Sequence, residues 1–215
     1  MKQKKTTQAH KSPFPIKRIG SLAEIFTGLS LSGRSIGAKN DGNTTIRLIS
    51  ISDLNGELGR VENEGLKDFK VESVNKIRRY MVEPNDVLIS CRGTTTKVAL
   101  FTGNDHPTAI SSNLISIRPG PELKHLYLLA FLQSTQGQQA LKEKERGMFQ
   151  KALTVTDIES IEVPVPPIEI QRRIVELLDV ANEAYRLAVE VAESREKIAY
   201  EIFSRYLSGK LILEV

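Results

Sequence analysis

Residues 163–178 read VPVPPIEIQRRIVELL, and a tract rich in alanine and charge continues from there to Leu207. Pro164, Pro166 and Pro167 lack backbone donors and hold φ near −65°, which predicts an extended lead-in and then an abrupt helix start. After Pro167 no glycine or proline occurs until Gly209. The interval is about 40 residues, roughly 60 Å if helical at about 1.5 Å per residue. Apolar residues recur in alternating steps of four and three: Ile170, Ile174, Leu177, Ala181, Ala184, Ala188, Val191, Ile198 and Ile202, with Arg195 the one interruption. A sustained seven-residue repeat is the pattern of a coiled-coil seam. A lone amphipathic helix packed along its own domain is the alternative, but such helices usually run about 8–20 residues. A helix this long calls for a partner.

Working outward, the chain has 215 residues, of which 40% are hydrophobic, enough for a core and for one domain plus an extension. No apolar run approaches the ~18–20 residues needed to span a bilayer. The start, MKQKKTTQAHKSPFP, is basic without a following apolar segment, so no secretory signal is expected and cytoplasmic residence is. Cys91 is the one cysteine, which excludes an intramolecular disulfide. Lys2, Lys4, Lys5, Lys11, Lys17 and Arg18 carry the positive bias, leaving 24 basic against 26 acidic residues elsewhere. The pI of about 9.1 is therefore a property of the tail. Any polyanion bound by the body must meet a local patch.

Before residue 163, short segments of mixed type are predicted. Ile16 to Phe26 reads as a strand or turn leading into a small helix capped by Ser21. GLSLSGRSIGAKNDGNTT (28–45) reads as a loop; its Arg34, Lys39, Asn40 and Asn43 suit phosphates and base edges, and equally a solvated surface. IRLISISDL (46–54) reads as a strand closed by Asn55-Gly56, and a helix is expected around 71–77. Two strands, 86–91 and 97–102, flank a turn of Arg92, Gly93, Thr94, Thr95 and Thr96, which could face a polyanion or be ordinary turn chemistry. AISSNLISIRPG (109–120) reads as one strand, 122–144 as a helix split by Gly137, and 147–167 as short extended pieces. The fold class is α+β: one compact mixed α/β domain followed by a long C-terminal coiled-coil helix.

Catalytic patterns are missing from the sequence. His10, His106 and His125 are scattered, no phosphate-loop, nucleophile-elbow or paired-histidine zinc motif occurs, and Cys91 within a strand reads as a small buried hydrophobe. The expectation is a non-enzymatic binding protein with no metal and no cofactor.

Several stretches in order resemble the specificity subunit of type I restriction–modification systems. They are PNDVLISCRGTTTKVALF (84–101), SSNLISIRP (111–119), LYLLAFLQSTQGQQAL (126–141) and GMFQKALTVTDIESIEVPVPPIEIQRRIVELLD (147–179). The helix start with Pro166, Pro167, Gln171 and Ile174 is the most telling. Two positions depart from the family pattern: Asn85 stands where glycine is usual before Asp86, and Thr96 where a second turn glycine is usual before Lys97. Both bear on the geometry of their turns.

The resemblance implies a target-recognition domain that reads a DNA half-site, and a helix that is both spacer and docking surface for methyltransferase subunits. The expected division is a basic flexible tail (1–15), a recognition domain (16–167), a spacer and dimerisation helix (168–207) and a C-terminal tail (208–215). Family members usually carry two recognition domains and two such helices, packed antiparallel. With one of each, this chain looks like a half-length form that would rebuild the pair as a homodimer and read a palindromic bipartite site. Expected DNA-binding residues are Arg34, Ser35, Lys39 and Asn43; Arg92, Thr94, Thr95, Thr96 and Lys97; Phe149, Gln150 and Lys151; and, second, Ser111, Ser112 and Asn113. Arginine and asparagine suit base edges, lysine and threonine phosphates. The expected partners are double-stranded DNA, methyltransferase and restriction–translocase subunits and a second copy, in a system of DNA methylation and phage defence. Two other readings stay open: one half of a split pair with another chain, and a coiled-coil scaffold without DNA specificity.

Overall fold

Three prolines before residue 168 and a buried glutamine after it fix where the long helix begins. The computed structural model describes residues 12–30, 44–55, 59–93, 95–103, 105–145 and 151–209. In chain order come β1 (Ile16–Arg18), a 3-10 turn (Ile19–Ser21), β2 (Ala23–Thr27), β3 (Thr44–Ile49) and a second 3-10 turn (Ile51–Asn55). Then follow β4 (Arg60–Val61), β5 (Lys67–Val71), α1 (Val74–Ile77) and a 3-10 turn (Arg78–Tyr80). The strands β6 (Val87–Ser90), β7 (Arg92–Gly93), β8 (Val98–Phe101), β9 (Thr108–Ile110) and β10 (Leu114–Pro119) come next. Last are α2 (His125–Gln133), α3 (Thr135–Lys144), β11 (Lys151–Ala152), α4 (Val155–Glu159), β12 (Glu162–Pro164) and α5 (Ile168–Leu207). This is the expected mixed α/β architecture with a long C-terminal helix.

A five-stranded sheet has the order β2-β10-β6-β8-β4, antiparallel except where β4 meets β8. A three-stranded sheet, β5-β3-β9, has β3 antiparallel to β5 and parallel to β9. Two small ribbons pair β1 with β12 and β7 with β11. The apolar runs Val87–Ser90 and Val98–Phe101 are buried at every residue. One face of these strands joins Leu88, Ala99 and Phe101 to Ile49, Val61, Ile110 and Leu114, and α2 packs against the other. Strands covered on both faces read as continuous apolar stretches rather than alternating ones. Each such Leu or Ile contributes about 1.5–3 kcal/mol on burial.

The chain divides into two compact units, Met1–Arg172 and Arg173–Val215. In the first, β1 and β12 clip its two ends together, with Val165 N donating to Pro15 O at 2.8 Å. Gln171 is fully buried, and its amide closes this end of the unit. Its Oε1 accepts from Lys124 N at 2.9 Å, while its Nε2 donates to Glu122 O at 3.0 Å and Pro166 O at 2.8 Å. In the second unit α5 is exposed throughout from Glu176 to Leu207, with Leu177 71% and Tyr185 73% accessible. Apolar side chains on a solvated helix are an unmet packing demand.

Local expectations failed at identifiable places. Ser21 ends a 3-10 turn, donating its hydroxyl to Arg18 O at 2.7 Å, and the residues after it form strand β2 rather than a helix. The strand expected over 46–54 stops at Ile49 because Asp53 Oδ2 accepts from both Ser50 N and Ser50 Oγ at 2.7 Å, closing a turn. Helix break and glycine do not coincide in 122–144: the break is at Ser134, whose Oγ caps α3 by accepting from Gly137 N at 3.2 Å. Gly137 instead allows close approach, since a Cβ there would lie 2.0 Å from Phe131 O. Residues 155–159 are helical, under a capping box between Thr154 and Asp157. The helix expected around 71–77 shrinks to α1, because Lys67–Val71 pairs with β3.

Candidate nucleic-acid interface

The single strand expected over 109–120 is two strands in two sheets, and the turn between them builds the site. β9 ends at Ile110, the chain turns through Ser111, Ser112 and Asn113, and β10 begins at Leu114. Leu114 N donates to Ser111 O at 2.9 Å, and Ser111 N to Ile49 O at 2.9 Å, so this corner is held from both sides. Short hydroxyl and amide side chains are the residues that favour such turns.

Two other candidate segments anchor on that corner, and a third pairs with the second. Leu29, two residues after β2, donates to Ile110 O at 2.7 Å and accepts from Ser112 N at 2.8 Å. Gly28 makes this possible: a Cβ there would stand 2.2 Å from Ser111 O. Cys91 N donates to Asn113 O at 2.9 Å, and its Sγ to Ser112 O at 3.5 Å. The next residues, Arg92 and Gly93, pair with Ala152 and Lys151, and Leu153 N donates to Cys91 O at 3.0 Å. Leu29 and the stem of the arginine–threonine turn thus meet at Ser111–Asn113, and the segment before α4 pairs with that stem. Segments far apart in sequence share one edge of the domain.

Side-chain exposure sorts the expected residues. Arg92 and Thr95 are exposed, Thr96, Lys97, Ser112 and Asn113 are half-buried, and Ser111 is buried with its hydroxyl enclosed. Among the described residues neither Arg92 nor Lys97 has an ion-pair partner. Arg34, Ser35, Lys39, Asn43, Thr94, Phe149 and Gln150 lie outside the described residues, and Lys151 is described by its backbone alone. Burial pushes the Cys91 thiol up, against the pull of the Arg92 charge, so it stays a neutral packing group.

The two departures from the family pattern are accommodated differently. Asn85 takes the left-handed conformation, φ 80°, and is the one non-glycine residue to do so among those described. Asparagine tolerates that region better than other residues with a Cβ, so the turn before Asp86 keeps a glycine-like path. Thr96 has no positive φ; its hydroxyl donates to Glu145 Oε1 at 2.6 Å and ties the turn to the end of α3. That tie brings Gln138, Gln139 and Lys142 into one cleft with Thr95 and Thr96. Sequence reading missed these three, because QGQQALKEK looks like any solvated helix face. Behind the turn, Arg118 grips buried Asp86 with Nε and Nη2 at 2.9 and 2.8 Å. Among the described residues no three His, Cys, Asp or Glu are placed to hold a metal, and no helix is long and apolar enough to cross a membrane.

Residues 11–187 match the type I restriction modification DNA specificity domain, and the chain belongs to that family. A chain from a structure on complex assembly and conformational transition of the type I R-M system is 23% identical with TM-score 0.68, over 96% of this chain and 49% of that one. The HsdS subunit from Thermoanaerobacter tengcongensis is also 23% identical, TM-score 0.61, over 96% and 48%. A type I S subunit from M. genitalium is 14% identical, TM-score 0.52, over 93% and 47%. These likenesses bear on the fold, and this chain spans about half the length of each solved chain. No curated protein sequence matches it.

Proposed function

We propose that this chain is the sequence-reading component of a type I restriction–modification assembly. It would direct methyltransferase subunits, and through them a restriction translocase, to one bipartite DNA site. The chain itself catalyses nothing in this reading; residues 16–167 recognise a half-site, and 168–207 space two such domains and dock the methyltransferase. Residues 1–15 add non-specific phosphate attraction, 208–215 form a terminal tail, and the assembly works in the cytoplasm. The observation that carries the reading is that Leu29 and Cys91 both bond to the Ser111–Asn113 corner, while the Lys151–Leu153 segment pairs with Cys91–Gly93. Arg34, Ser35, Lys39 and Asn43 then act from the first loop, with Arg92, Thr94, Thr95, Thr96 and Lys97 on the turn and Phe149, Gln150 and Lys151 beside it. Ser112 and Asn113 supply further contacts, and Ser111 shapes the corner.

The apolar repeat of α5, half-buried at Ile170 and Ile174 and exposed from Leu177 on, supports self-pairing through Ile170, Ile174, Leu177, Ala181, Ala184, Ala188, Val191, Ile198 and Ile202. Two-fold pairing would give a palindromic target. The test is single-molecule sequencing of methylated DNA from cells carrying the chain with its methyltransferase, against cells without the chain. A palindromic bipartite motif that depends on the chain is expected. A non-palindromic motif would replace the homodimer by a pair with another recognition chain, and no dependent motif would overturn the reading.

A further inference from the structure

Resting on that DNA-binding reading, we infer that Arg78 and Arg79 form a second, sequence-independent contact with the DNA backbone, beside Leu29 and the edge of β9. The 3-10 turn Arg78–Tyr80 is outside every segment singled out by sequence. It ends at Met81, whose backbone bridges Ala109, while Leu29 bridges Ser111. Val82 N donates to Thr108 O at 3.0 Å, as Leu29 N does to Ile110 O. Met81 and Leu29 therefore lie side by side on one edge of the β9 strand, two residues apart, about 7 Å at about 3.3 Å per residue. Buried Val71 and Ile77 share a cluster with Leu29, which fixes the turn beside that residue. The same edge of β9 thus holds Leu29 beside Ser111 and Met81, three residues after Arg78, beside Ala109.

The chemistry of the turn fits phosphate. Both arginines are exposed, and among the described residues neither has a carboxylate partner. Glu72 is engaged by Lys76 at 2.6 Å and Glu83 by Arg118 at 3.2 Å. Arg79 lies over the Tyr80 ring at 4.7 Å and donates to its hydroxyl, which holds the guanidinium in place with other donors open. Arg78 has neither contact and is free to follow an anion. A short turn with no side chain deep enough to enter a groove positions the duplex rather than reading it.

The test uses the full chain with Arg78→Gln/Arg79→Gln, Arg78→Lys/Arg79→Lys and, as a reference, Lys97→Gln. Binding is measured against salt on a duplex carrying the methylated motif and on one of random sequence. The glutamine pair should weaken both duplexes alike, roughly ten- to a hundredfold near ~0.1 M salt, and flatten the salt slope by roughly two units. The lysine pair should keep the slope, and the methylated motif should be unchanged in cells. An unchanged slope in the glutamine pair, where Lys97→Gln lowers it, would overturn this contact and leave the DNA reading intact. A shifted motif would also overturn it, by making the arginines base readers. A wild-type chain with no preference for the motif duplex would sink the DNA reading itself.

Discussion

The Gln171 carbonyl oxygen accepts from the main-chain nitrogen of Lys124 at 2.9 Å, joining the first turn of α5 to the start of α2. Lys124 has no side-chain cap over α2, so a residue 47 positions away does that work. Together with the bonds to Glu122 O and Pro166 O, three backbone groups depend on one buried amide. Gln171→Ala would leave them unpaired, at a cost of about 2–3 kcal/mol. Urea denaturation should show that loss as a lower midpoint with an unchanged slope; a variant as stable as wild type would mean the amide is dispensable.

Asn85 offers a test with two signs. Its φ of 80° suits glycine, and Asn85 N donates to Phe101 O at 2.8 Å, which locks the residue in place. Asn85→Ala should destabilise by about 1 kcal/mol and Asn85→Val by more, because a Cβ without a local polar partner is disfavoured there. Asn85→Gly should be close to neutral. Thermal melts of the three variants rank them, and equal melting for alanine and glycine would count against the left-handed turn.

Acid sensitivity should trace in part to His125. Burial, helped by the Lys124 charge, holds its imidazole below the ordinary 6.5. The folded pKa lies under the unfolded one, so the unfolded chain binds more protons between them. Stability then rises with pH through that window and falls as pH drops from about 6.5 toward the folded value. Comparing wild type with His125→Gln at pH 7.5 and 5.5, wild type should lose more on acidification. Equal losses would mean that His125 titrates normally.

Base reading and phosphate fixing separate at the turn. Arg92 is exposed and has no ion-pair partner among the described residues, and a guanidinium fork can pair with guanine. Arg92→Ala should cost about 1–3 kcal/mol at one position of the motif and little elsewhere. Lys97→Ala should weaken all sequences alike and flatten the salt slope by roughly one unit. Competition with single-base variants of the motif distinguishes the two patterns.

Sequence showed most clearly what short-range physics controls. The proline lead-in and the seven-residue repeat located α5 to the residue, and the buried runs at 87–90 and 98–101 announced their strands. What escaped was set by distant partners. Lys67–Val71 became a strand through pairing with β3, and Ser134 rather than Gly137 broke the helix because Gly137 was needed against Phe131 O. The same holds for the site: Arg92 and Lys97 could be picked by type, but the pairing of Arg92 with Ala152 and the bonding of Cys91 and Leu29 to the Ser111–Asn113 corner depend on distant partners. The Thr154–Asp157 capping box was legible and overlooked, since only five helical residues follow it.

The seam of α5 gives the last prediction. Arg195 takes a core position of the repeat, between Val191 and Ile198, which are 51% and 56% exposed. A charge in a coiled-coil seam lowers stability while restricting register and orientation. In a parallel pair identical residues face each other, so Arg195 would meet its own copy; an antiparallel pair separates the two charges. Alanines at 181, 184 and 188 allow close approach but bury little area, so such a pair would be weak. Arg195→Ile should therefore shift the monomer–dimer equilibrium toward dimer in sedimentation velocity, and Leu177→Glu/Val191→Glu should leave monomer alone. If methylation survives the glutamates while the dimer is lost, the second recognition domain must come from another chain. A mass independent of concentration in every variant would remove the self-paired helix.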